Sequence, residues 1–245
     1  ETCSRLLKDY GVTYNAPGVI GEAERSWSLD SLSLVISPEE WSLLCAAVAQ
    51  RAQLLDQILA DIYGPRKLLT SGVLPPEIIL ANPAFLRAAT GIIPPNGRIL
   101  SLYAVDLARS PDGRWWTVGD RTDAPGGLGY ALENRIVLSR VHAGLIRDCQ
   151  VERIARFYAA FRDGLLAQAP RMGRQPRVVL LTPGPHHATY FAQVYLARYL
   201  GFTLVEGEDL IVRDTGVFLK TLSGLSPVDV IFRYVSGWFC DPLEL

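Results

Sequence analysis

Apolar positions recur along this chain with two different periods, and the change between them falls near residue 99. Before it, Trp41, Leu44, Cys45, Val48, Leu55, Leu59 and Ile62 return to one helical face. The run opens on Ser37-Pro38-Glu39-Glu40, where Ser37 suits the N-cap, Pro38 the first helical position and Glu40 the third place of a capping box. Gly64-Pro65 closes it. The pattern predicts a long amphipathic helix acting as core scaffold. Residues 66–98 hold shorter helical pieces broken at Pro75-Pro76, Pro83 and Pro94-Pro95. Residues 1–36 are mixed, with turn signals at Gly11, Asn15-Ala16-Pro17 and Gly21, and read as a segment wrapping a neighbouring surface.

After Ile99 the texture becomes that of strands. Residues 101–120 form two runs of β-formers around Pro111-Asp112-Gly113, the signature of a hairpin. A glycine-rich loop follows at 124–130, and then a helical segment at about 150–168 with Val151, Ile154, Tyr158, Phe161 and Leu165 on its apolar face. Gly173 to Pro176 reads as a boundary. Beyond it come a continuous apolar strand at 177–181, a helix at 188–200 ending on Gly201, and a second strand at 202–205. Such a β-α-β unit places its strands parallel through a right-handed crossover. A hairpin at 210–220 around Asp214-Thr215-Gly216 and a strand at 228–232 complete the pattern. The fold class is α/β in the broad sense (mixed α+β), with a helical scaffold and hairpin lobe over 1–172 and a Rossmann-like unit over 173–245.

Charge and composition narrow the function classes. Lys and Arg number 24 against 25 Asp and Glu, for a formal net charge of -1, so the totals imply neither a nucleic-acid partner nor an anionic membrane. Cys3, Cys45, Cys149 and Cys240 lack the close spacing of zinc sites or small disulfide frameworks and are expected as free thiols in a reducing cytoplasm. No apolar run reaches the roughly 18 residues of a membrane span, and no basic-then-apolar leader opens the chain. The only methionine is Met172, and both ends read as cuts in a longer protein.

Candidate chemistry concentrates in residues 105–135, VDLARSPDGRWWTVGDRTDAPGGLGYALENR. If the tight turn pairs Arg109 with Trp115, Asp106 faces Val118 and Asp120 is its diagonal neighbour on the same sheet face, roughly 7–8 Å away. Two carboxylates so placed can share a magnesium ion; a one-residue change of register would put them on opposite faces. The other reading is of surface acids flanking a hairpin. Gly126 and Gly127 allow close backbone approach to a phosphate or carboxylate, or simply make a turn. Glu133-Asn134-Arg135 are polar site residues or the solvated opening of a helix. Neither GxGxxG nor GxxxxGK[ST] is present. His186 and His187 have no Cys or acidic neighbour at metal spacing and read as loop histidines.

The 101–135 block with its closing YALENR, VVLLTPGP at 178–185, YLARYLGF at 195–202, LVEGEDL at 204–210 and FCDPLEL at 239–245 together resemble the bacterial circularly permuted ATP-grasp proteins of unknown substrate. The resemblance covers nearly the whole chain. These are in turn similar to eukaryotic-type glutathione synthetases and glutathionylspermidine synthetases. It implies ATP and Mg2+ as cofactors, carboxylate and amine substrates of small-molecule or peptide type, and an acyl-phosphate intermediate. By resemblance Asp120 takes an acidic metal-ligand place and Thr122 the place of an Asn; Asp106, from the hairpin spacing, is the further metal-ligand candidate. Arg121 is then the catalytic candidate and, with Arg233, a substrate contact; Gly126 and Gly127 match the family's substrate loop and, with Gly129, Glu133 and Asn134, are the cofactor-binding candidates. His186-His187-Ala188 and Tyr234-Val235-Ser236-Gly237 depart from the family's pattern. The resemblance further implies a second, lysine-bearing ATP-grasp lobe beyond Leu245, and hence little ATP turnover by these residues alone. The rival expectation is a noncatalytic module of the same fold that binds a small acid or a protein.

Overall fold

A computed structural model describes residues 2–15, 24–170 and 173–237. Ala16, Pro17, Gly21, Met172, Cys240 and the 239–245 block lie outside the described residues. In chain order the helices and strands are α1 (Thr2–Asp9), β1 (Thr13–Tyr14), β2 (Arg25–Ser26), α2 (Pro38–Ile62), α3 (Lys67–Thr70), α4 (Pro76–Leu80), β3 (Ala104–Arg109), β4 (Trp115–Arg121), α5 (Leu128–Val141), α6 (Ala143–Asp148), α7 (Ala155–Leu166), β5 (Val178–Leu181), α8 (Tyr190–Leu200), β6 (Thr203–Val205), β7 (Leu210–Arg213), β8 (Gly216–Thr221), β9 (Gly224–Val228) and β10 (Val230–Arg233). Packing groups them into two units that are not consecutive in sequence. One holds residues 1–34 and 126–234, the other 35–125 and 235–245. The stretch from Gly173 to Pro176, expected as a boundary, lies inside the first, because α7 before it packs on α8 and β10 after it.

The second unit is built along α2. Ser37 caps it, its hydroxyl accepting from the Glu40 amide at 3.2 Å, with Pro38 in the first position. Glu40 does not close the expected capping box. Its carboxylate accepts the Trp115 indole N–H at 2.7 Å and lies 3.1 Å from the Arg109 guanidinium. Nor is α2 core scaffold, since only Leu44 and Ile62 of its 25 residues are buried. Polar links join it to what it touches: Asp56 accepts the amides of Ile99 and Leu100 at 2.9 and 2.8 Å, and Asp61 those of Lys67 and Leu68 at 2.9 and 2.8 Å. Buried-edge amides satisfied in this way avoid the cost of desolvation without a partner.

β3 and β4 form the predicted hairpin, Arg109 pairing with Trp115, Ala108 with Trp116 and Leu107 with Thr117. There the ladder shifts: Asp106 pairs with Gly119, Val105 with Asp120 and Ala104 with Arg121. Val118 is the extra residue of a β-bulge, which reverses the facing of every β4 residue after it.

In the first unit β5 is the central strand of a parallel sheet ordered β10-β5-β6. Val178, Val179 and Leu180 are all buried because both faces are covered, which is why the strand reads as an unbroken apolar run. Leu180 packs with Leu132 of α5, Tyr158 of α7 and Leu196 of α8, while Val179 packs with Val205 and with Leu219 of the β7-β8-β9 meander. The single strand expected at 228–232 is two. Asp229 breaks it by taking both Arg174 guanidinium nitrogens at 2.7 and 2.8 Å and the Arg177 amide at 2.7 Å, which anchors β10 to the start of β5.

Three helices, α1, α5 and the short α6, are missing from the sequence pattern. α1 buries Cys3 and Leu7 with Val12, Tyr130, Val137 and Ala192, so the opening segment is integral to a core. α5 begins at Leu128, inside the stretch expected as loop, and buries Gly129, Tyr130, Leu132, Glu133 and Val137 on more than one side. A helix enclosed in this way carries no single apolar stripe. Gly129 lets α5 approach α8 closely: a Cβ there would lie 2.1 Å from the Ala192 carbonyl oxygen. Gly129→Ala is expected to destabilise the protein by about 2–3 kcal/mol, the overlap with backbone outweighing a gain of about 1 kcal/mol in helix propensity. Urea denaturation followed by circular dichroism measures it; unchanged stability would contradict this packing.

Candidate functional site

The bulge decides the geometry of the acidic pair. A Cβ on Gly119 would sit 3.4 Å from the Asp106 carboxylate, so Asp106, Gly119 and Arg121 share one face of the hairpin. Asp120 and Val105 occupy the other. The expectation that Asp106 and Asp120 share a face is therefore corrected: regular alternation would join them, and the extra residue Val118 separates them.

Each acid already has a cationic partner. Asp120 takes Arg51 in a two-pronged contact, Nε to Oδ1 and Nη2 to Oδ2 both at 2.7 Å, and the Tyr103 hydroxyl donates to Oδ1 at 2.5 Å. The Arg51 hydrogen bonds, then that of Tyr103, hold the Asp120 carboxyl down at about 2. Burial and the bond to Asp120 push the Tyr103 phenol up to about 12. Arg121 meets Asp106 across the ladder, with Nη2 2.9 Å from Oδ2, both side chains largely exposed. Thr122 is exposed, just past the end of β4. With its acids on opposite faces and Asp120 occupied by a guanidinium, the hairpin does not fit one Mg2+ shared by Asp106, Asp120 and Thr122.

The remaining candidates lie in the first unit and fare differently. Gly127 is the N-cap of α5 with φ +92°, and being glycine it has no side chain with which to cap that helix end. Gly126 is exposed, and a Cβ there would lie 4.0 Å from Thr189 Oγ1, so the turn sits by the start of α8. Gly129 faces Ala192 backbone, so its role is helix packing and not contact with a cofactor. Asn134 accepts the Trp27 indole N–H at 2.9 Å and ties the opening segment to α5. Glu133 is not a solvated helix opening; it is 4% exposed. Arg233, the last residue of β10, pairs with Leu181 at the carboxyl end of the central strand.

Around that strand end is a polar network that motif reading did not assemble. The buried Thr182 hydroxyl donates to Gln193 Oε1 at 2.6 Å and accepts the Gly184 amide at 3.1 Å. Gln193 Nε2 lies 3.0 Å from His187 Nδ1, which also accepts the Thr189 amide at 3.3 Å. An acceptor role at Nδ1 places the proton of a neutral imidazole on Nε2, and burial lowers the pKa of His187 in the same sense. Asn15 donates to the carbonyls of Pro185 and His187 at 2.8 and 3.0 Å, fixing the loop. Gly184, at φ +102°, leaves room for the Glu206 carboxylate, which a Cβ would approach to 3.0 Å. The only available signal was positional: in open parallel sheets, ligands bind outside the carboxyl ends of the strands.

The family profile described as circularly permuted ATP-grasp type 2 matches residues 34–245. This chain belongs to that family. Among curated relatives of this ATP-grasp chain, an uncharacterized protein of Mycobacterium tuberculosis is 42% identical over 248 residues, covering 98% of this chain and 28% of that protein. An uncharacterized protein of Mycobacterium leprae is 37% identical over 244 residues, covering 100% and 43%. One from Synechocystis is 33% identical over 242 residues, covering 99% and 50%. The chain thus spans half or less of the length of these relatives. No helix among its described residues is long and apolar enough to cross a membrane.

Asp120 supplies a direct check of the hairpin. Its carboxyl should titrate near 2 by carbon-detected NMR, and Arg51→Ala should return it toward about 3.9, the ordinary value. Because the folded value is the depressed one, the pair's stabilising contribution is fully present above the unfolded value and fades as pH falls through about 2. An Asp120 titration that Arg51→Ala leaves unmoved would contradict the two-pronged contact.

Proposed function

We propose that this chain is the substrate-gripping part of an ATP-dependent carboxylate–amine ligase. The observation that carries the reading is the Gly126-Gly127 turn, which opens α5 in a chain of the ATP-grasp family. The first amides of a helix have no intrahelical acceptor, and the N-cap Gly127 has no side chain to cap them in α5, so they offer donors to a phosphate or a carboxylate. Gly126, having no side chain, lets such a group come close to the backbone. Arg233, by its position at the β10 end, suits a substrate carboxylate, since a planar fork can donate two parallel hydrogen bonds.

In the proposed reaction a substrate carboxylate oxygen attacks the terminal phosphorus of ATP and ADP leaves. An amine then attacks the acyl carbon, inorganic phosphate leaves, and the amine gives up a proton to form the amide. The protein's part is positioning and neutralising charge. ATP-grasp enzymes use Mg2+ for some of that neutralisation. The hairpin does not assemble the donors for the ion, so its acids are given no part in a step. Arg121, exposed on β4, is the hairpin cation proposed to take up an anion in place of Asp106.

A second reading is a noncatalytic module that binds a small acid. The pairing of both hairpin acids with arginines favours it. Calorimetry with ATP in magnesium buffer separates the two. The ligase reading expects ATP to bind and Gly126→Val, whose Cβ has room in the fold, to weaken it about tenfold or more by blocking approach to the donors at the α5 end. Little ATP hydrolysis is expected from the 245 residues alone. Absence of ATP binding, or equal binding by the variant, would overturn the ligase reading; uptake of small carboxylates without ATP would support the module.

A further inference from the structure

A cleft lies along α5 and α8, lined by residues with no part in the proposed reaction. It is an open cleft of about 420 Å³ bounded by Tyr10, Glu133, Arg140, Phe191, Tyr195 and Arg198. That volume is in the range of small-molecule sites. Among its lining residues is Glu133, a carboxylate only 4% exposed, with Tyr195 beside it. Among the described residues no cation is ion-paired with it. Burying a carboxylate without a cationic partner is costly, so a site holding one is incomplete until a donor arrives. Burial, and after it the neighbouring Glu133 carboxylate, raises the pKa of Tyr195, which keeps the hydroxyl a donor.

The rest of the cleft selects the donor. Phe191 and Tyr195 stack with centroids 5.8 Å apart and supply apolar walls. Arg140 lies over the Tyr10 ring at 5.3 Å and hydrogen-bonds its hydroxyl. Arg198 is exposed and has no ion pair among the described residues. Two guanidinium groups disfavour a simple cation, whether a metal or an alkylamine, and the buried carboxylate disfavours a simple anion. A ligand with both charges and an apolar body satisfies every group.

We propose that this cleft binds a zwitterion of the amino-acid type, its ammonium group on Glu133, its carboxylate on Arg198 and its apolar side chain against Phe191 and Tyr195. The site does not depend on the nucleotide reading and is tested without nucleotide, so failure of one leaves the other standing.

Calorimetry on the 245-residue chain with L-phenylalanine, N-acetyl-L-phenylalanine, L-phenylalaninamide and phenethylamine tests it. Phenylalanine should bind, and each of the three analogues, which lack one of the two charges, should bind about tenfold more weakly or worse. Glu133→Gln should bring phenylalanine down to the level of its N-acetyl derivative, and Arg198→Gln to that of its amide, with circular dichroism melting curves showing both variants folded. No heat from phenylalanine up to about 10 mM, or equal binding of all four compounds, overturns the proposal. The analogue series uses unaltered protein, so it decides the matter even where a variant fails to fold.

Discussion

The two-pronged contact between Arg51 and Asp120 sets the arrangement of the α2 unit. α2 buries too little apolar surface to be held by packing, so the hairpin is fastened to it by polar links at separate points. Glu40 holds Trp115 near the turn, and Arg51 holds Asp120 near the far end. The eleven helical steps from Glu40 to Arg51 rise about 16 Å, and the β4 residues between Trp115 and Asp120 cover on the order of 13–17 Å, so β4 can run alongside the helix and meet both anchors. Trp115 and Asp120 are five apart, an odd interval that would put them on opposite faces of a regular strand. The bulge at Val118 brings them to the same face. The same shift turns Asp120 away from Asp106, so the feature that secures the hairpin is also the one that dismantles the expected metal pair.

In the sheet unit the governing constraint is enclosure. β5 is covered on both faces, and α5 is pressed between the opening segment and α8, so polar groups there must find partners inside the fold. Most do: Tyr130 and Tyr158 donate to the carbonyls of Thr13 and Leu128, each at 2.7 Å, and Thr182, Gln193 and His187 satisfy one another. Glu133 stands out against that background as a buried acid with no ion pair among the described residues.

What the sequence made readable was whatever depends on local chemistry. Ser37-Pro38 marks the start of α2, the Pro111-Asp112-Gly113 turn pairs Arg109 with Trp115, and Gly201 ends α8 with φ +72°. The parallel β5 and β6 follow from an apolar run, a helix and a second short run. What stayed hidden depends on partners distant in the chain. The bulge is invisible because Trp115-Trp116-Thr117-Val118-Gly119 has no alternation in which an extra residue would show. α5 is enclosed and so has no stripe, while α2, which does have one, leaves Trp41, Leu43 and Leu54 exposed. Among the candidate residues, Gly126 and Gly127 open a helix as a ligand loop would. Gly129, in the same glycine run, is a packing residue because α8 lies against it. Spacing alone does not tell these two uses of glycine apart.

The bulge makes β4 unequal in its tolerance of length change. Loss of Val118 alone would leave Asp106 opposite Gly119 and Val105 opposite Asp120, so every side chain would keep its side. Loss of a paired neighbour such as Thr117, with Val118 drawn into the ladder in its place, would also spare the far end, because the surplus residue acts as slack. A residue added beyond Gly119 has no such reserve and would bring Arg121's chemistry to the side that meets Arg51, setting two guanidinium groups against each other.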